Sequence, residues 1–105
     1  MTSNLKQTEK SHLIIELQRK RKAVDQLQMK LNSYQCAPKT SFLFEKMATL
    51  KTELKTLANN TEALLATLSV NGIVLVDYME NVKQQFSNFN MLHTEIEEYI
   101  KAARQ

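Results

Sequence analysis

The chain has 105 residues, enough for one domain with a modest core. One glycine and one proline are too few for the turns that sheets and irregular folds need, and 43% hydrophobic with 24% charged residues excludes the composition of a disordered chain. The net charge of +3 is uneven: residues 1–40 hold eight Lys and Arg against three Asp and Glu, residues 41–70 hold three against three, and residues 71–105 hold three against five.

Met1 to about Gln7 is polar and charged, unlike a secretory signal, and is expected to be a flexible lead (residues 1–7) ahead of a helical domain (residues 8–105). Asn4, Thr8 and Ser11 are N-cap candidates. Leu13, Leu17, Lys20, Val24, Leu27, Leu31 and Tyr34 then follow at alternating steps of four and three. That spacing lines one side of a helix and predicts helix one over about residues 6–35, with Lys20 as a polar interruption of its stripe. Pro38 stops it, because proline disfavours helical geometry at the residue before it. Cys36, the only cysteine, excludes an intrachain disulfide and a cysteine-cluster metal site; it fits a reducing compartment and an inert role.

Thr40 or Ser41 opens helix two, expected over about 41–70. Its seam is the most regular in the chain: Leu43, Met47, Leu50, Leu54, Leu57, Thr61, Leu64 and Leu68, with Thr61 the one polar member. Phe44 and Leu65 broaden the apolar face, which suits three or more helices around a core better than a two-stranded coil. Asn71-Gly72 closes this helix in one reading. In another, Asn-Gly between Leu68-Ser69-Val70 and Ile73-Val74-Leu75-Val76 is a hairpin turn between short strands. Helix three is expected over about 74–103, on a seam of Leu75, Met79, Val82, Phe86, Phe89, His93, Ile96 and Ile100. Tyr78, Leu92 and Tyr99 flank it. Asp77 and Glu80 near its start and Lys101 and Arg104 near its end match the helix dipole.

Three helices of about equal length, joined by two short links, predict an all-α fold. It is either an antiparallel three-helix bundle closed on itself or a coiled-coil subunit whose seams pair with other chains. Folding about Pro38 would bring Lys20 near residue 56, and folding about Asn71-Gly72 would bring Thr61 near 82 and His93 near 50.

No residue constellation points to catalysis, a metal or a cofactor. One glycine cannot build a phosphate loop, and the acidic residues show no ligand spacing. His93, with Glu97 one turn on, reads as a hydrogen-bonded interface histidine. Arg19-Lys20-Arg21-Lys22 is the densest charge cluster and encircles its helix. It suits contact with an acidic polymer such as nucleic acid, or local pairing with Glu16 and Asp25. The longest apolar run, Ile73 to Val76, is too short to cross a bilayer, so no membrane insertion is expected.

Phe42-Leu43-x-x-Lys46-x-x-Thr49-Leu50, following Pro38, resembles a segment in the second subunit of augmin. These are small coiled-coil subunits of an assembly that recruits the gamma-tubulin ring complex to spindle microtubules. Ile15-Glu16-Leu17 is similar too, although the gap between the two stretches is longer here. The resemblance implies scaffolding within a hetero-oligomer, a spindle or kinetochore setting, and no catalytic residue.

The sequence therefore predicts a non-enzymatic structural subunit of a coiled-coil assembly, in spindle, microtubule or chromosome-segregation machinery, located on the cytoskeleton or in the nucleus. Its expected partner interface is Leu43, Met47, Leu50, Leu54, Leu57, Leu64, Leu68, Leu75, Met79, Val82, Phe86 and Phe89. Other coiled-coil proteins are the expected partners. The alternatives are a small basic nucleic-acid-binding module, acting through Arg19 to Lys22, and a membrane-trafficking tether subunit.

Overall fold

In the computed structural model three long helices lie side by side in a rod 57 Å long and 17 by 16 Å across. The backbone is described for residues 2–33 and 37–104, and side chains from Glu9 onward. Tyr34 (the expected last seam residue), Gln35 (the expected end of helix one) and Cys36 lie outside the described residues. So do the side chains of Asn4 and Thr8.

Helix α1 spans Thr2–Leu31. It starts four residues earlier than the spacing predicts, so the expected flexible lead is helical from Thr2. No glycine or proline interrupts this stretch, and extending an existing helix adds one backbone bond per residue fixed. The helix also stops short of Gln35: Ser33 N–H donates to the Lys30 carbonyl at 3.2 Å, the tighter bonding with which helices often end.

Helix α2 spans Ser41–Leu68. Thr40 is its N-cap, with extended backbone, and its hydroxyl oxygen accepts from Leu43 N–H at 3.1 Å. At the other end Ser69 donates its hydroxyl back to the Leu65 carbonyl at 2.8 Å.

The Asn-Gly pair then makes a turn in which Ile73 N–H bonds the Val70 carbonyl at 3.4 Å. Gly72 has φ +87°, while no other residue type has positive φ among the described residues. Positive φ at the second central position alone belongs to a type II turn; the usual Asn-Gly hairpin turn needs it at both. The hairpin reading is therefore corrected: no strand forms among the described residues.

Helix three also differs from its expected start at Val74. Val74 is extended and makes no side-chain cap, Leu75–Tyr78 form a 3-10 turn, and helix α3 runs Met79–Arg104. Ile73, Val74 and Val76 are stiff at χ1, and no side chain is placed to cap an earlier start.

Cross-contacts fix how the rods lie. Arg21 bonds Glu62 at 3.0 Å and Lys10 reaches the Val70 carbonyl at 3.4 Å, tying α1 to α2 and to the turn just after it. Thr61 lies 3.3 Å from Gln85 and Lys46 lies 3.7 Å from Glu95, tying α2 to α3. In both pairs the numbers rise along one helix as they fall along the next. Between α1 and α3 they rise together, from Lys20 at Phe86 and Phe89 to Lys30 at Glu97. Both outer rods pack chiefly on α2 and less on each other.

The core has two parts. The larger, toward Pro38, joins Val24, Leu27 and Leu31 to Leu50, Leu54 and Leu57 of α2 and to Phe89, Leu92, Ile96, Tyr99 and Ile100 of α3. The smaller, toward Gly72, joins Leu17, Leu64, Leu68 and Val82, with half-buried residues around them.

Candidate interaction surfaces

The expected interface residues are found mostly inside the chain's own core. Leu50, Leu54, Leu57, Leu64 and Leu68 are buried in α2, and Val82 and Phe89 in α3. Leu43, Met47, Leu75, Met79 and Phe86 are half-buried at the margins. The three seams cover one another, so a partner that meets the folded chain meets other side chains.

The seam of α3 is rotated from the expected one. Val82, Phe89, Ile96 and Ala103, seven residues apart, form the buried line, and Leu92 and Tyr99 are buried beside it. The side chain of His93 is 49% exposed. Its ring stacks on Phe89 with centroids 6.0 Å apart, and its Nε2 stands 3.8 Å from Glu97, too far for a hydrogen bond. Glu97 instead accepts from Lys30 at 3.2 Å. The register set by Lys46–Glu95 and Thr61–Gln85 puts His93 about level with residue 50 as expected, but its side chain lies on the margin of the α1–α3 groove.

Thr61 is the buried polar member, 2% exposed, and it lies beside Gln85, close to the expected position 82. Its hydroxyl donates to the Leu57 carbonyl at 2.8 Å. No buried side-chain nitrogen or oxygen lacks a partner among the described residues.

Lys20 does not meet residue 56. Its ammonium sits 4.8 Å from the centre of the Phe89 ring and 6.0 Å from that of Phe86, facing α3. The negative faces of the rings attract the cation, so a charge is tolerated at a seam position.

The remaining basic residues divide sharply. Arg19 pairs with Glu16 at 2.9 Å. Arg21 is shared between Asp25 and Glu62, and its pKa is pushed up from an already high value, first by the hydrogen bond to Asp25. Lys22 is exposed, with no ion pair among the described residues. The sequence cluster is therefore one free cation beside three that the fold already uses.

What the seam reading missed are the outward faces. On α1, Ile15 (46% exposed) and Met29 (74%) stand in line with Lys22, seven residues apart, on the side away from the core. On α2, steps of three and four from Phe42 to Ala66 trace a second line, through Thr49, Thr56 and Ala63, and every member is exposed. Charge was the signal that could have shown it, because Glu45 is the only ionised residue on that line.

Among the described residues no group of three or more His, Cys, Asp or Glu is placed to hold a metal, and no helix is long and apolar enough to cross a membrane. The chain matches no protein-family model, no curated protein and no solved structure.

Proposed function

We propose that the chain is a non-enzymatic structural subunit of a multi-protein helical assembly, binding side by side along its outer faces. The observation that carries this reading is the division of its apolar residues. The seams are used up inside the bundle, yet Met29, Phe42, Phe44 and Met91 each remain more than 60% exposed. Large apolar side chains on a polar surface mark places where another surface docks. The setting proposed, on the augmin-like stretch at Phe42 to Leu50, is spindle, microtubule or chromosome-segregation machinery, with other coiled-coil proteins as partners.

Nucleic-acid binding through Arg19 to Lys22 is the weaker reading. Arg19 and Arg21 would first have to leave Glu16, Asp25 and Glu62.

Affinity capture from native extract, repeated across a salt series, tests the two against each other. Partners held by apolar packing stay bound from about 50 to about 200 mM salt, whereas a phosphate polymer held by the four clustered cations loses roughly a hundredfold in affinity over that range. Loss of every partner across the series would overturn the subunit reading.

A further inference from the structure

The turn after α2 leaves Asn71 open to a reaction that the helices deny to other asparagines. We propose that Asn71 is a site of spontaneous deamidation: the Gly72 amide nitrogen attacks the Asn71 side chain, and water completes the conversion to aspartate and isoaspartate. This chemistry goes beyond the subunit reading and is independent of it.

The step balances with water and hydroxide alone. Hydroxide removes the Gly72 amide proton, and the nitrogen bonds to the side-chain carbonyl carbon of Asn71. The bond from that carbon to the side-chain nitrogen breaks, and ammonia leaves. The succinimide so formed takes up water at one of its two carbonyl carbons, and the ring C–N bond there breaks. One opening gives aspartate. The other routes the main chain through the side chain and gives isoaspartate. Nothing is oxidised or reduced. The product carboxyl is ionised at neutral pH, so the net charge of +3 falls by one unit.

Three observations single out this position. The first is the attacking nitrogen. The turn from Val70 to Ile73 uses the Ile73 N–H, and the Gly72 N–H donates to no backbone carbonyl among the described residues. The turn's own bond, at 3.4 Å, is longer than usual, so the turn is held loosely. The second is room. Asn71 and Gly72 are both exposed, and a Cβ on Gly72 would meet nothing within 4 Å. Glycine lets another group come close to the backbone, where a side chain would stand in the way.

The third is contrast. Asn59, Asn60, Asn81, Asn88 and Asn90 lie within α2 and α3, where the next N–H is bonded to a carbonyl four residues back. The residues after them, Asn60, Thr61, Val82, Phe89 and Met91, all carry a Cβ. Asn32 is followed by Ser33, whose N–H bonds the Lys30 carbonyl.

The new charge also has a neighbour. Lys10 reaches the Val70 carbonyl at 3.4 Å, so the carboxylate appears one residue from a contact that ties α1 to this end of the rod.

The test incubates the whole chain in neutral buffer at body temperature for several weeks and maps its peptides by mass spectrometry. Asn71 is expected to be lost about tenfold faster than Asn32 or the helical asparagines. Two product peptides of equal mass are expected, one co-eluting with the peptide from Asn71→Asp. Gly72→Ala is expected to slow the loss about tenfold, and Asn71→Gln to remove the more acidic form seen by ion exchange. Earlier loss at another asparagine overturns the proposal, and so does an unchanged rate in Gly72→Ala. Loss of Asn71 in urea but not in buffer overturns it too, because the turn would then protect the residue.

Discussion

The Pro38 end of the rod and the Gly72 end have seams of equal regularity but unequal cores. Toward Pro38 thirteen residues are buried, Leu31, Leu50, Leu54, Ile96 and Ala103 among them. Toward Gly72 the buried set is Leu17, Leu64, Leu68 and Val82, ringed by half-buried residues such as Leu13, Ile73, Leu75 and Phe86. The difference lies in what stands level with each seam. Near Pro38 three full helical turns face one another. Near Gly72 the third rod is a turn and a 3-10 segment, which cannot present a continuous helical face. Seam spacing thus fixes which side of a helix points inward, while the number of residues buried depends on how many neighbours share that level. Thr61 sits between the two parts, and a polar side chain is tolerated there because its own helix accepts its hydrogen.

The widest gap between the ends should appear when a leucine is truncated in each. Leu54→Ala is expected to cost roughly 2–5 kcal/mol, toward the upper end, because its enclosed site cannot collapse. Leu64→Ala, at 7% exposure with looser neighbours, should fall near the lower end, about 2 kcal/mol. Urea denaturation of both variants measures the contrast, and equal losses would mean that the ends are equally well packed.

A smaller effect tests the turn that limits the Gly72 end. Gly72→Ala meets no atom within 4 Å, so its cost is conformational alone. It should be about 1 kcal/mol for an L-residue held at positive φ. An unchanged midpoint would show that the turn readily takes another shape.

Smallest of all is Lys20→Met, which keeps the apolar stem and removes the cation over Phe89. A loss of about 0.5 kcal/mol is expected. No loss in thermal melting would mean that the ammonium is merely held in water by its stem.

Much of this fold was legible in the chain itself, because local chemistry wrote it. Pro38 marked a break, Thr40 was one of two candidate caps, and the α2 seam is buried from Leu50 to Leu68. What failed were inferences that needed a third helix. Lys20 faces α3 and not α2, its neighbour in sequence, because a helix in a three-rod bundle shares its stripe between two partners. The same sharing turned α3, so that Leu92 and Tyr99 went inward and His93 went to the margin. The extension of α1 to Thr2 carries no signal in seam spacing. Spacing did offer Glu16 and Asp25 as local partners for the clustered cations, and Arg19 and Arg21 take them; it could not show the third partner, Glu62, 41 residues from Arg21. The outer line of α2 could be read only after the inner one had been assigned.

Both outer rods rest mainly on α2, the element next to each in the chain. A structure assembled from such near-neighbour pairings closes short loops first and has little long-distance searching to do. Refolding of the chain on its own should accordingly finish within microseconds to milliseconds, the range of helical bundles with mostly local contacts.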